Sequence, residues 1–247
     1  NIIDYRIYFH LFLLDNINMK IFKLCRRENI EFIIFIAVIA GIIINSLFLQ
    51  DSIIALISAI CGITYTVFAG KGYPVCYLFG VTGSSFYILL SFQNEIWGNL
   101  LLYLLYYIPM QILGYFSWKK NLKKDSSEIV KSQLDKKTNI LILFISVILI
   151  VLMSCVLKHF HDSHPVLDSI TTIISIVGMY CTVKRVIEQW LAWIIVNILS
   201  LIMWTEILLS GQKVCSTVIM WAVYSLLAVY FYVIWCRELK LQKHTET

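Results

Sequence analysis

Three residues in the stretch WLAWIIVN combine aromatic rings with an amide. Trp190, Trp193 and Asn197 are spaced so that an α-helix places all three on one side. Tryptophan rings can stack on a flat ligand, and an amide can hydrogen-bond its edge. The alternatives are an aromatic belt at a membrane surface and an interhelical hydrogen bond. The combination of two tryptophans and an amide on one helix face favours a binding surface.

A second stretch, nearer the N-terminus, has the same character. Tyr103, Tyr107, Gln111 and Tyr115 recur at steps of four around Pro109, which predicts a helix kink. Ordinary helix packing is the alternative explanation for the tyrosines. Two amides with aromatic neighbours predict a cavity that stacks a planar ligand and hydrogen-bonds its edges.

These residues lie in a chain with the composition of a membrane protein. Of its 247 residues, 60% are hydrophobic and 14% are charged, and the mean hydropathy is +0.80. An ordinary soluble domain is excluded, and an all-α integral membrane protein is expected. Eight segments approach the roughly 20 residues that cross a bilayer. They are 32–49, 53–69, 74–92, 96–118, 140–157, 167–183, 190–209 and 214–235.

The predicted spans contain almost no charge. They have no Lys or Arg, and their two acids, Asp168 and Glu206, lie near span ends. Ion-coupled transporters generally need ionisable or dense oxygen ligands near the midplane. Uncoupled alternating access is therefore the simplest mechanism, although backbone carbonyls could still bind sodium. An uncharged aromatic site suits a polar aromatic ligand, including a cation, and suits a polyanion poorly.

An internal repeat organises the spans. DSIIALIS, from Asp51, and DSITTIIS, from Asp168, share five of eight residues at an offset of 117. The same offset aligns Trp118 with Trp235. Two three-helix units in parallel orientation are predicted, joined by a linker helix (3+1+3) and preceded by an extra helix. Such repeats are typical of transporters that hold their substrate near the midplane.

The repeat fixes the expected domain boundaries. Neither amide has a polar counterpart, since Asn197 aligns with Gly80 and Gln111 with Ala228, so one asymmetric site is expected. The predicted parts are an N-terminal peripheral region with the extra helix (1–50), the first repeat (51–118), a basic cytoplasmic loop with the linker helix (119–165), the second repeat (166–236) and a cytoplasmic tail (237–247). Within the first part, Tyr5 to Leu14 is expected to form an interfacial helix.

The distribution of basic residues predicts the orientation. Of the 20 Lys and Arg residues, all but Lys158 and Lys213 fall on the side of the N-terminus. The positive-inside rule then places both termini in the cytoplasm. The net charge of +5 reflects this topology, and clustered lysines such as Lys119 and Lys120 are expected at the lipid surface. No nucleic-acid partner is expected.

Two other classes of function compete with transport. His159, His161, Asp162 and His164 in HFHDSH could ligate zinc or copper in a membrane metalloenzyme, but the histidine spacing is not a helical pair and no partner acid is expected from elsewhere in the chain. No metal, cofactor or enzymatic activity is therefore expected. The seven scattered cysteines imply neither disulfides nor a zinc site. A structural or receptor subunit would show no ligand-dependent change in melting temperature.

Two longer motifs resemble those of a known family. YYIPMQILGYFSW (106–118) and EQWLAWIIVNILS (188–200) resemble the paired motifs of the PnuC family of bacterial vitamin transporters, whose members take up nicotinamide riboside. The resemblance covers about three quarters of the chain. It implies a SWEET-like duplicated bundle in the bacterial inner membrane, often a homotrimer. It also implies facilitated diffusion, with the substrate trapped by phosphorylation inside the cell.

The resemblance also implies site residues. Trp190, Trp193 and Asn197 match the binding motif of the penultimate span, and Gln111 matches the glutamine of the earlier motif. Tyr115 stands where many members have tryptophan, so thiamine, riboflavin or a nucleoside is the alternative substrate. With Tyr107, these form the predicted substrate site.

Overall fold

The computed structural model describes residues 29–48, 50, 52–94, 96–124, 126–159 and 165–245. The chain divides into two compact units, 1–44 and 45–247. The predicted interfacial helix at Tyr5 to Leu14 lies outside the described residues, as does most of HFHDSH. The helices are α1 (Asn29–Phe48), α2 (Ile53–Lys71), α3 (Cys76–Gln93), α4 (Trp97–Leu102), a π-helical turn (Tyr103–Tyr107), α5 (Ile108–Lys119), α6 (Lys136–His159), α7 (Pro165–Lys184), α8 (Glu188–Leu209) and α9 (Cys215–Thr245).

The all-helical membrane architecture is confirmed. Within the described ranges, seven stretches are long and apolar enough to cross a membrane, and α4, the π turn and α5 together form one of them. Helix α3 is not among the seven. Its 18 residues include Gly80, Gly83, Ser84 and Ser91, and they would span about 27 Å. An eighth crossing by α3 stays a prediction.

The break predicted between the second and third spans is a tight turn. Helix α2 ends at Gly72, whose φ of 82° is left-handed and favours glycine. The N–H groups of Gly72 and Tyr73 donate to the carbonyls of Ala69 and Phe68, at 3.0 and 2.9 Å. This arrangement closes the helix with hydrogen bonds to its last carbonyls. Helices α2 and α3 then pack extensively on each other.

Two tryptophans brace the bundle in a reciprocal way. Trp118 at the end of α5 donates from Nε1 to the carbonyl of Thr182 in α7, at 2.8 Å. Trp235 in α9 donates from Nε1 to the carbonyl of Gly70 in α2, also at 2.8 Å. The repeat aligns Trp118 with Trp235. The last helix of each predicted unit is therefore hydrogen-bonded to the first helix of the other unit. This exchange supports the duplication, and the complete 3+1+3 arrangement stays a prediction.

A widened helical turn replaces the simple kink expected near Pro109. The π turn spans Tyr103–Tyr107, and Pro109 follows in the first turn of α5. Proline has no N–H to donate and its ring presses on the carbonyl of the preceding turn, so a wider turn relieves the contact. The π turn directs Tyr107 inwards, where 4% of it is exposed.

Candidate functional site

A cavity of about 90 Å³ lies among α2, α3, α5, α7, α8, α9 and the π turn. One water needs roughly 10 to 15 Å³ by this measure, so there is room for several. Its lining includes five of the six predicted site residues: Tyr107, Gln111, Trp190, Trp193 and Asn197. Two stretches about 80 residues apart in the sequence therefore meet at one cavity. Their role in binding stays a prediction.

Helix α8 contributes the predicted face. Trp190 and Asn197 are buried, with 2% and 5% of each exposed. Trp193 donates from Nε1 to Oγ1 of Thr182 at 2.9 Å, and its ring lies edge-on to Tyr107 with the centroids 6.1 Å apart. The hydrogen bond fixes the rotation of the indole, so Trp193 presents a preset surface to the cavity.

Gln111 of α5 adds a polar edge to the same cavity. Its Nε2 donates to Oγ of Ser84 at 2.9 Å. Its Oε1 is buried and has no partner in the described structure. A Cβ added at Gly80 would lie 3.2 Å from that oxygen and 2.8 Å from the Tyr65 ring, so glycine leaves the oxygen room. An unpaired buried acceptor is costly unless a ligand or water satisfies it.

Tyr115, the sixth predicted residue, does not line the cavity. Its ring contacts Phe116 edge to face at 5.5 Å, and the Lys119 Nζ lies 5.8 Å from its centroid. Steps of four residues advance about 40° round a helix, so Tyr115 is rotated by roughly 80° from Tyr107. Of the residues spaced four apart from Tyr103 to Tyr115, those up to Gln111 therefore line the cavity and Tyr115 does not.

Several residues of the wall were not predicted. Buried polar groups of the wall that have no partner among the described residues also include Oη of Tyr65, Nε2 of Gln189 and Nε1 of Trp190. Tyr224 also lines the cavity, and the repeat offset that aligns it with Tyr107 was the available signal. Gln189 directly precedes Trp190 and gave no signal, because its place at a helix start is typical of an interfacial residue.

The described cavity wall carries no ionisable acid or base other than tyrosine hydroxyls. It combines π faces, three side-chain amides (Gln111, Gln189 and Asn197) and hydroxyls in an enclosure without formal charge. Such a surface can stack a planar solute and exchange hydrogen bonds with its edges. It offers no cation to pair with a phosphate and no carboxylate to carry a proton.

A second cavity of about 480 Å³ adjoins the first. The two share the rings of Tyr87, Tyr103, Tyr107 and Trp221 in their walls. Two of these tyrosines belong to the π turn, and the Tyr87 hydroxyl accepts a hydrogen bond from Nε1 of Trp204 at 2.8 Å. Four aromatic rings thus stand between the small cavity and the larger one.

Apolar helices that enclose an uncharged, polar-edged cavity form the architecture of a membrane transporter for small solutes. The chain belongs to the family described as nicotinamide mononucleotide transporters, whose model matches residues 52–237. The resemblance drawn from the two sequence motifs is thus confirmed. The members of this family are transporters rather than enzymes.

Named relatives and a solved structure agree with this placement. The chain is 30% identical over 218 residues to the nicotinamide riboside transporter PnuC of Neisseria mucosa, covering 86% of this chain and 82% of that protein. It is 31% identical over 192 residues to the protein of that name from Haemophilus influenzae, covering 77% and 82%. The crystal structure of the vitamin B3 transporter PnuC matches with a TM-score of 0.75 and 30% identity, covering 83% of this chain and 90% of that one.

Proposed function

We propose that this protein carries nicotinamide riboside across a bacterial cytoplasmic membrane by uncoupled facilitated diffusion. The supporting observation is the cavity, which brings Gln111 and Asn197 together with several aromatic rings. Nicotinamide riboside has a flat cationic ring, a carboxamide and ribose hydroxyls, so it offers a π face and hydrogen-bonding edges. Aromatic rings attract such a cation by about 0.5 to 2 kcal/mol each. Relatives named as nicotinamide riboside transporters support the same substrate.

The riboside fits this cavity better than the mononucleotide named in the family description. The phosphate of the mononucleotide adds about 1.5 to 2 negative charges. No Lys, Arg or His lines the described cavity wall to pair with them. Because burying unpaired charge is strongly unfavourable, the mononucleotide is rejected.

The position of the cavity supports alternating access as the mechanism. A solute bound there must pass the four shared rings to reach the larger cavity and must leave at the opposite end towards the cytoplasm. Since no carboxylate or lysine lines the described wall, the cycle needs no proton transfer. Net uptake then follows the concentration gradient, and phosphorylation inside the cell maintains it.

Sequence and family support the proposed orientation, repeat arrangement and oligomeric state. The uneven distribution of Lys and Arg supports cytoplasmic termini. The reciprocal contacts of Trp118 and Trp235 support two three-helix units joined by α6. Family resemblance supports a homotrimer.

Calorimetric titration of the purified protein tests the substrate. Nicotinamide riboside is expected to bind with micromolar or tighter affinity and the mononucleotide to give no heat of binding. Uptake into proteoliposomes should saturate and should be unchanged when the proton and sodium gradients are dissipated. Binding of thiamine or riboflavin alone would assign the protein a different vitamin as its substrate. If none of the four compounds binds, a structural role remains as the explanation.

Asn197→Ala is expected to weaken riboside binding by roughly 1 to 3 kcal/mol, because the ligand would lose a hydrogen-bond partner inside an enclosed cavity. That loss raises Kd about fivefold to more than a hundredfold. The titration above measures it. Ser225→Ala in α9, outside the described cavity wall, is the control, since the Ser225 hydroxyl bonds only a carbonyl of its own helix at 3.0 Å. Equal Kd values for Asn197→Ala and the parent would remove Asn197 from the site.

A further inference from the structure

The loop between α5 and α6 is anchored across one end of the bundle. The N–H of Ile129 donates to the carbonyl of Gly72 at the end of α2, at 2.9 Å. Ser132 exchanges two backbone hydrogen bonds with the connection between α7 and α8: its N–H donates to the carbonyl of Arg185, and its carbonyl accepts from Ile187, both at 3.0 Å. The loop is therefore fixed to both predicted repeats, although its composition is that of a basic surface loop.

A series of contacts links this loop to the small cavity. Trp190 lines the cavity, and the Trp235 ring meets it edge to face with centroids 5.7 Å apart. The Lys131 Nζ lies over the Trp235 ring, 5.0 Å from its centroid. Ile129 is fully buried in the same cluster as both tryptophans. A displacement of the loop would thus remove the support behind Trp190.

Lys131 is held by an ion pair with Glu238 of α9. Only 4% of Lys131 is exposed. Burial lowers the pKa of the Lys131 ammonium, and the hydrogen bond that this ammonium donates to the Glu238 carboxylate opposes that shift. A buried ammonium is tolerated where a partner compensates its lost hydration, so removing the carboxylate destabilises this closed arrangement. In a second ion pair of the loop, Lys123 with Glu128 at 2.7 Å, both side chains are about one third exposed, whereas in the first pair the lysine is buried and only Glu238 is exposed to that degree. The second pair therefore contributes less.

We propose that this loop is the gate at the cytoplasmic end of the cavity, and that the Lys131–Glu238 ion pair holds it shut. The proposal rests on the transport function, because a carrier must open its cavity at both ends in turn. The ion pair joins two parts that must separate on opening, the α5–α6 loop and α9. When it breaks, Ile129 leaves the cluster and the rings of Trp190 and Trp235 become free to part.

Cysteine labelling tests the gate without any substrate. Ala228 lines the cavity and is 1% exposed, so Ala228→Cys reports opening. Glu238→Gln should raise its rate of labelling by a membrane-impermeant maleimide on the order of fivefold, because the closed state loses its charge pair. Glu128→Gln is the matched control and should leave the rate unchanged. Labelling in nanodiscs is read at residue 228 by peptide mass spectrometry, and equal rates for Glu238→Gln and the parent would overturn the proposal.

A disulfide lock gives a second, independent measurement. Ser132 and Val186 form a β-bridge, and bridged residues lie roughly 5 Å apart, within reach of a disulfide. Oxidised Ser132→Cys/Val186→Cys protein should bind nicotinamide riboside normally but lose uptake, and reduction should restore it. If uptake continues at the parent rate with the disulfide formed, the loop is a fixed structural element and not a gate. Failure of the parent to bind any riboside would reject the substrate, while the labelling result would still decide the gate.

Discussion

Trp193→Ala is expected to abolish measurable nicotinamide riboside uptake. The indole forms part of the cavity wall, is locked by its hydrogen bond to Thr182, and packs edge-on against Tyr107. Truncation removes a preset stacking surface and frees Tyr107 to move into the space. Loss of a central aromatic contact costs roughly 2 to 4 kcal/mol, which raises Kd about thirtyfold to a thousandfold. Titration of the purified variant measures this change directly.

Trp193→Phe separates stacking from the hydrogen bond. It keeps an aromatic face but cannot donate to Thr182, so a loss of about 1 kcal/mol, or about fivefold in Kd, is expected. Both variants should elute as monodisperse protein, which excludes misfolding as the cause of lost binding. A Trp193→Ala variant that binds as tightly as the parent would show that the ligand does not stack on this wall.

The α8 face was predictable because α8 is a regular helix. Spacings of three and four residues hold Trp190, Trp193 and Asn197 on one side of any undistorted helix, and the structure places all three on one cavity. Gln189 also lines that cavity, at the edge of the same face. One sequence motif thus located most of the contribution of α8 without any tertiary information.

The contribution of α5 was only partly predictable. The stripe from Tyr103 to Tyr115 assumes one continuous helix, whereas the π turn interrupts it and steps of four drift off the face. Tyr107 and Gln111 stay on the cavity, and Tyr115 leaves it. Pro109 indicated that the helix would be distorted at this place. The form of the distortion, a π turn, depends on how this turn packs against α3 and α7.

The buried part of the α5–α6 loop could not be recognised from composition. Lys119, Lys120 and Lys124 are exposed, as expected of a basic surface loop, whereas Lys131 and Ile129 are buried. Their burial comes from partners distant in sequence: Gly72, Trp235 and Glu238. No local sequence pattern records such contacts, since each depends on how the two predicted repeats pack against each other.

Gly62→Ala is expected to displace Tyr224 from the cavity wall and to weaken riboside binding at least about tenfold, or 1.4 kcal/mol. A Cβ at this position would lie 1.8 Å from the Tyr224 hydroxyl oxygen and 3.0 Å from its Cζ. Both residues line the cavity, so the ring can escape only by rotating within a packed wall. Such overpacking also costs roughly 1 to 3 kcal/mol of folding stability. Calorimetric titration and thermal melting measure the two losses.

Rescue by a second substitution distinguishes displacement of this ring from general damage. Gly62→Ala/Tyr224→Phe lacks the hydroxyl oxygen, so the nearest ring atom lies 3.0 Å from the new Cβ and needs to shift by only a few tenths of an ångström. Most of the loss in melting temperature should therefore be recovered.

Gly41→Ala controls for helix propensity, because nothing lies within 4 Å of its Cβ and alanine favours a helix by up to about 1 kcal/mol. If the double variant melts as early as Gly62→Ala, crowding of Tyr224 is not the cause. Recovery of stability without recovery of binding would instead assign the Tyr224 hydroxyl a direct contact with the ligand.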